Sequence, residues 1–175
     1  MKQIMLTGSG GQGMILAGII LAKAGIRDGL HVTQTQSYGP EARGGASRAE
    51  VILDTEEIDF PKVVQADVIL AMTQEAVDKF TGKLRPGGTL IVDPMGVHTV
   101  PQIDGTVHSV EITKLAKEAT GRTVSANIVA LGAMNRACGL VSPEALVAAV
   151  ADSVPKGAEA TNKKALEAGI AAVGA

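Results

Sequence analysis

The feature that most restricts the fold is a glycine-rich turn near the start of the chain, Gly8-Ser9-Gly10-Gly11-Gln12-Gly13. It lies between two apolar segments, residues 3–7 and 14–27, which predict a strand and a helix. A strand, a glycine turn and a helix in this order form the first half of a βαβ unit. Gly8, Gly10 and Gly13 fit the G-x-G-x-x-G spacing, whose glycines close the turn, admit a phosphate and let the helix pack closely.

This spacing leaves several functions open. The N–H groups at a helix start favour an anion. A dinucleotide site also needs an acidic residue near the end of the second strand, residues 30–36, but the next acid is Glu41, beyond a proline. No Lys-Ser or Lys-Thr pair follows the glycines as a P-loop requires. The turn therefore either only closes the connection, or holds another phosphate-bearing ligand, or contacts a partner chain.

Composition excludes some function classes. Apolar residues make up 46% of the 175 residues and aromatic residues only 2%, so the core must be aliphatic. Proteins that bind single-stranded nucleic acid use stacked aromatic side chains and a basic groove, whereas this chain has a net charge of −2. We expect no nucleic-acid partner. The three histidines have no ligand spacing, so we expect no metal site.

The one cysteine, Cys138, cannot form a disulfide within the chain or hold an iron–sulfur cluster, and we expect it to be a small apolar residue of a helix. The first residues lead directly into a strand, which is not typical of a signal peptide. The longest apolar run, residues 14–22, is too short to cross a bilayer. We therefore expect a soluble, cytoplasmic protein without a membrane partner.

The order of predicted elements indicates an α/β fold: an open, doubly wound-like mixed sheet flanked by helices, in one domain over residues 1–175. The third strand, residues 48–53, should run antiparallel to its neighbour, because its link from Ser47 is too short for a crossover helix. Residues 67–72 predict a buried central strand, and Pro86-Gly87-Gly88 predicts a turn. The later helices are predicted at residues 74–80, 112–120, 128–137, 143–152 and 159–173.

The segment between the second and third strands, residues 37–47, predicts an ordered loop with Tyr38, Glu41 and Arg43. This loop and the glycine turn both follow strands, so we expect them at the sheet edge where open α/β sheets bind ligands. The planar guanidinium of Arg43 suits a carboxylate or a phosphate. The alternative is a solvated Glu41–Arg43 pair of little energetic consequence.

Four runs of residues together resemble the gamma subunit of the 2-oxoacid:ferredoxin oxidoreductases. They are the glycine turn with residues 14–18, the Tyr-Gly-Pro-Glu-Ala-Arg-Gly-Gly run at 38–45, residues 67–76, and residues 127–132. The resemblance covers nearly the whole chain in order and is strongest to the members that act on 2-oxoglutarate. It implies the fold of the pyruvate-ferredoxin oxidoreductase gamma domain.

The resemblance also implies a multi-subunit enzyme that oxidatively decarboxylates a 2-oxoacid, foremost 2-oxoglutarate, with coenzyme A to acyl-CoA and CO2 while reducing ferredoxin. This chain lacks the Gly-Asp-Gly and Asn-Asn signature of thiamine diphosphate sites. The resemblance implies that alpha and beta subunits carry thiamine diphosphate and a delta subunit carries the iron–sulfur clusters, and the composition of this chain agrees. The chain alone should be inactive, with no catalytic residue.

What remains for this subunit is assembly and contact with coenzyme A (CoA). From the resemblance we expect Gly8, Gly10, Gly11, Gln12 and Gly13 to bind CoA phosphates. Arg43 would add charge to that site, and Tyr38, Glu41 and Arg43 would contact partner subunits. Two alternatives stay open: a free-standing nucleotide- or cofactor-binding module, and a purely structural subunit.

Overall fold

The computed structural model describes residues 1–37 and 46–174, so the predicted interface residues Tyr38, Glu41 and Arg43 lie outside the described residues. The described strands are β1 Lys2–Ser9, β2 His31–Ser37, β3 Ala46–Asp54, β4 Ala66–Ala71, β5 Leu84–Val92 and β6 Gly105–Ser109. The described α-helices are α1 Met14–Arg27, α2 Gln74–Phe80, α3 Ile112–Thr120, α4 Ala126–Cys138, α5 Pro143–Ala151 and α6 Glu159–Ala172.

The strands form one mixed sheet in the order β2-β3-β1-β4-β5-β6. β3 is antiparallel to both β1 and β2, as the short link predicted, and β1, β4, β5 and β6 run parallel. After β1 the chain continues to β2, which lies on one side of β1 in the sheet, whereas the parallel neighbour β4 lies on the other side. The carboxyl end of β1 is therefore a switch point, where open sheets bind ligands. The predicted open mixed sheet flanked by helices is confirmed.

The two faces of the sheet are covered very differently. Ile4 and Leu6 of β1 face a large core that includes residues of α1, α3, α4, α5 and α6. Met5, between them, faces a smaller core formed with α2 and the segments on either side of it. Every residue of β4 is buried, which confirms the predicted central strand.

Helix α4 is enclosed between the sheet and α6, and all of its residues from Ala126 to Asn135 are buried. Glycines permit the contact with α6. A Cβ built on Gly132 would lie 2.3 Å from the carbonyl oxygen of Leu166, and a Cβ on Gly169 only 1.9 Å from that of Val129. The two helix backbones therefore touch at these residues, and no larger side chain fits without moving a helix.

Helix ends follow the sequence signals. The hydroxyl of Thr73 accepts a hydrogen bond from the N–H of Ala76, and that of Ser142 accepts one from Ala145, both at 3.2 Å. Gly121 and Gly139 end α3 and α4 with φ of 74° and 58°, as glycine C-caps do. Of the helices that the structure describes, none is both long and apolar enough to span a bilayer.

The predicted turn at Pro86-Gly87-Gly88 is wrong, because β5 runs through it. The strand is irregular there: its pairing with β4 shifts register between Ala66 and Val68. Gly87 has φ 74° and donates its N–H to the carbonyl of Asp104 at 2.7 Å. The glycine thus forms a bulge, which hydrogen bonds to the neighbouring chain keep within the sheet.

Replacing Gly169 with alanine should destabilise the chain by about 1–3 kcal/mol, because the added methyl group collides with the α4 backbone. Helix propensity alone predicts the opposite effect, an increase in stability of about 1 kcal/mol. Urea unfolding of the purified variant measures the difference. Gly82→Ala is the control, since a Cβ there meets open space. Equal stability of both variants would contradict the close helix contact.

Cys138, the last residue of α4, is partly buried as a small helix residue, and this burial raises the pKa of its thiol above the ordinary 9.0. Alkylation by iodoacetamide should therefore begin at higher pH in the folded chain than in urea. Because the folded pKa is the higher one, the stability linked to this thiol is present below pH 9 and falls above it. Cys138→Ala should remove that part of the pH dependence.

Candidate functional site

The glycine turn is held by the side chain of Gln12. Its Oε1 accepts a hydrogen bond from the N–H of Ser9 at 2.7 Å, and the backbone N–H of Gln12 donates to the Ser9 carbonyl at 3.3 Å. A Cβ on Gly8 would lie 2.4 Å from this Oε1 and 3.2 Å from the Cβ of Met72. Gly8 therefore leaves room for the glutamine that closes the turn.

The other turn glycines differ in their surroundings. Gly13 precedes α1 with φ 76°, and a Cβ there would lie 2.7 Å from Nδ2 of Asn127. Gly11 has φ 89°, but a Cβ on it would meet nothing within 4 Å. Gly10 and Gly11 are exposed. Packing thus explains why positions 8 and 13 are glycine, whereas Gly10 and Gly11 are exposed at the surface.

Helix α4 begins at the same edge of the sheet. Asn127, in its first turn, is 5% exposed and donates Nδ2 to the carbonyl of Gly13 at 3.4 Å. Both α1 and α4 begin without a side-chain cap. The first N–H groups of a helix have no partner within the helix, and the helix dipole makes that end positive. The start of α1 lies at the turn, whereas the N–H of Ala126, the first residue of α4, already donates to the carbonyl of Thr123 in the short 3₁₀ helix Thr123–Ser125.

A pocket of about 300 Å³ opens between the turn and the start of α4. Its lining residues are Gly11, Gln12, Thr113, Thr123, Val124 and Ala126. This volume is at the lower limit of the range of about 300–1,000 Å³ that pockets for drug-sized ligands span, so it suits a phosphate or diphosphate group better than a whole nucleotide cofactor. Backbone N–H groups and hydroxyls in this position can bind an anion without a metal ion or a charged side chain.

One wall of this pocket depends on a buried carboxylate. Asp93, at the end of β5, is 1% exposed and accepts hydrogen bonds from the N–H groups of Thr113 at 2.8 Å and Met95 at 3.0 Å. The Thr113 hydroxyl also donates to it. Such hydrogen bonds to a charged group are strong, so Asp93 fixes the first turn of α3 beside the pocket.

A larger cleft of about 750 Å³ beside α2 is a weaker candidate. Gln74 uses its polar groups there to hold the chain: Oε1 accepts the N–H groups of His98 and Thr99, and Nε2 donates to Asp78 and to the Thr99 carbonyl. The cleft thus consists largely of groups that already have partners. At the glycine turn, by contrast, the N–H groups of Gly10, Gly11 and Gly13 donate to no acceptor among the described residues.

The structure brings together part of the predicted site. Gly8, Gly10, Gly11, Gln12 and Gly13 form one turn at the predicted sheet edge, while Arg43 lies outside the described residues. Sequence reasoning missed Thr113, Thr123 and Val124, which complete the pocket. Their position after β6 was the available clue, because chain segments that follow parallel strands reach the same edge.

Comparison with known proteins identifies the family. The sequence matches the pyruvate ferredoxin/flavodoxin oxidoreductase family over residues 3–172. The chain belongs to this family. It is 46% identical to 2-oxoglutarate synthase subunit KorC of Methanocaldococcus jannaschii, over 96% of this chain and 91% of that protein.

Two solved structures resemble this family member closely. The gamma subunit of the keto/oxoacid ferredoxin oxidoreductase of Geobacter sulfurreducens has a TM-score of 0.89 and 45% identity, covering 98% of this chain and 97% of that one. The 2-oxoglutarate:ferredoxin oxidoreductase of Magnetococcus marinus, with 2-oxoglutarate, coenzyme A and succinyl-CoA bound, has a TM-score of 0.86 and 27% identity. There, 97% of this chain matches 30% of a longer one. The resemblance to gamma subunits, and with it the predicted gamma-domain fold, is confirmed.

Replacing Gln12 with alanine should destabilise the chain by about 1 kcal/mol, because the N–H of Ser9 loses its acceptor. Thermal unfolding of the purified chain measures the loss. Gln102→Ala is the matched control, since this exposed glutamine has no hydrogen bond among the described residues, and we expect it to change stability by less than about 0.5 kcal/mol. If Gln12→Ala is as stable as this control, the side chain does not hold the turn.

Proposed function

We propose that this chain is the gamma subunit of a 2-oxoglutarate:ferredoxin oxidoreductase, with residues 1–175 as a single gamma domain. The enzyme complex oxidatively decarboxylates 2-oxoglutarate with coenzyme A to acyl-CoA and CO2 and reduces ferredoxin. The observation that carries this proposal is nearly full-length similarity to a separate 2-oxoglutarate synthase subunit, combined with a close structural match to a gamma subunit.

The chain depends on partners for the chemistry. We propose alpha and beta subunits that carry thiamine diphosphate and a delta subunit that carries iron–sulfur clusters, all in the cytoplasm. One cysteine in the sequence supports this division, because a cluster needs several thiolates. Tyr38, Glu41 and Arg43 remain proposed contacts to these partners on the sequence alone.

The glycine turn is the proposed CoA contact. The pocket beside Gly11 and Gln12 suits one phosphate or the diphosphate, and Arg43 would add a cation. Backbone N–H groups of the turn and of the α1 start supply the donors. The rest of CoA is too large for this pocket and would lie against other subunits. CoA would then be bound at a subunit boundary.

A purely structural role is the second candidate, and one observation favours it. Gly8 and Gly13 are required by contacts to Gln12 and Asn127 alone, with no ligand. Gly11 distinguishes the two roles, because its surroundings are open and no packing contact requires a glycine there. Its positive φ is a conformation that asparagine and aspartate tolerate better than most residues.

Gly11→Asp should raise the KM for CoA of the assembled complex about tenfold relative to Gly11→Asn. The two side chains have nearly the same size and backbone preference, so they differ mainly in a negative charge beside the phosphate. A repulsion of about 1.4 kcal/mol in this partly solvated pocket corresponds to that factor. CoA-dependent reduction of a viologen dye, with 2-oxoglutarate saturating, measures it.

The KM for 2-oxoglutarate is the internal control and should stay the same in both variants. Equal CoA KM values for Gly11→Asp and Gly11→Asn in fully assembled complexes would rule out a phosphate at the turn. Failure of both variants to assemble would instead favour the structural role.

A further inference from the structure

A second pocket lies on the face of the sheet opposite α1 and has no role in the function proposed above. Its volume is about 420 Å³, and its lining includes Thr35, Arg48, Glu50, Lys62 and Lys83. It shares no lining residue with the pocket at the glycine turn. The strands beneath it, β2 and β3, are covered by α1 on their other face.

A buried carboxylate organises this pocket. Glu50 is 6% exposed, and its Oε2 accepts hydrogen bonds from the N–H of Val63 at 3.1 Å and the hydroxyl of Thr35 at 3.4 Å. Its Oε1 lies 3.3 Å from Nε of Arg48. Glu50 therefore ties the strands to the segment before β4 and holds an arginine beside the pocket.

Arg48 is held in place by contacts with Glu50 and Phe80. Its guanidinium lies over the ring of Phe80, 5.5 Å from the centroid, and its side chain is 27% exposed. Only Nε is paired with Glu50, and within residues 1–37 and 46–174 neither terminal nitrogen has an acceptor. An arginine held in this way is preorganised to bind a carboxylate or a phosphate through its terminal nitrogens.

The charges around the pocket do not balance. Lys62 and Lys83 are exposed, and no carboxylate of the described residues pairs with either of them. Among the lining residues that the structure describes, they make with Arg48 three cations against the one carboxylate of Glu50. The excess of two positive charges matches a dianion.

We propose that this pocket binds a small organic dianion, a phosphate ester or a dicarboxylate. One anionic group pairs with the terminal nitrogens of Arg48, and Lys62 and Lys83 neutralise the remaining charge. The volume exceeds that of an inorganic phosphate and lies within the range of ligand pockets, so the occupant has an organic body. The proposal is independent of the function assigned to the glycine turn.

Isothermal titration of the full-length chain at low salt tests the proposal, with glycerol 2-phosphate and succinate as separate probes. We expect saturable binding of at least one probe, and the probe that binds more tightly identifies the chemical class. Lys62→Gln combined with Lys83→Gln should weaken binding about tenfold, as should Arg48→Gln. Lys163→Gln combined with Lys164→Gln on α6 is the matched control and should bind as the unaltered chain does.

Gly11→Asp tests whether the probe binds at the glycine turn instead, and it should leave probe binding in the second pocket unchanged. The proposal is overturned if neither probe saturates, or if the Lys62/Lys83 pair binds as tightly as the α6 control. It is also overturned if Gly11→Asp abolishes binding, because the probe would then occupy the glycine turn. Circular dichroism verifies that each variant is folded, and the lysine variants alter only exposed side chains.

Discussion

The contact between the backbones of α4 and α6 is the constraint on which the rest of the structure depends. Gly132 and Gly169 let the helices approach until carbonyl oxygens would touch any added Cβ. This approach holds α4 in the core, where its residues from Ala126 to Asn135 are buried. Its first turn then places Asn127 against Gly13, while near its end Asn135 accepts the N–H groups of Leu140 and Val141 at 3.0 Å and turns the chain towards α5. One packing contact thus positions both the candidate site and the next helix.

The candidate site shows that the same glycine spacing can be required by packing, by ligand binding or by both. Gly8 makes room for Gln12, and Gly13 makes room for Asn127, so both are required by packing whether or not a ligand binds. The proposed anion binding would depend instead on the uncapped start of α1 and on the open, exposed backbone at Gly10 and Gly11. A turn that packs tightly also holds its N–H groups rigidly, and the two roles therefore support each other.

Local sequence patterns predicted much of the fold, because its elements are specified locally. Thr73, Ser142 and Gly121 mark helix ends, and the short link before β3 requires an antiparallel strand. The bulge at Gly87 could not be predicted, since the hydrogen bond to Asp104 decides between a turn and a continued strand. Thr113 was missed as a pocket residue for the same reason. It is about a hundred residues from the turn in sequence, and Asp93 fixes it there through a tertiary hydrogen bond.

The two pockets would attract anions by different physical means. At the glycine turn the donors are backbone N–H groups, whose partial charges are fixed by helices and persist at every pH. In the second pocket the attraction comes from full side-chain charges, two of them exposed, so dissolved salt screens it. Glu50 offsets one of those charges but also holds Arg48 in a single position. The first arrangement favours a phosphate at a tight backbone turn, whereas the second favours any dianion whose groups reach the fixed arginine and the two lysines.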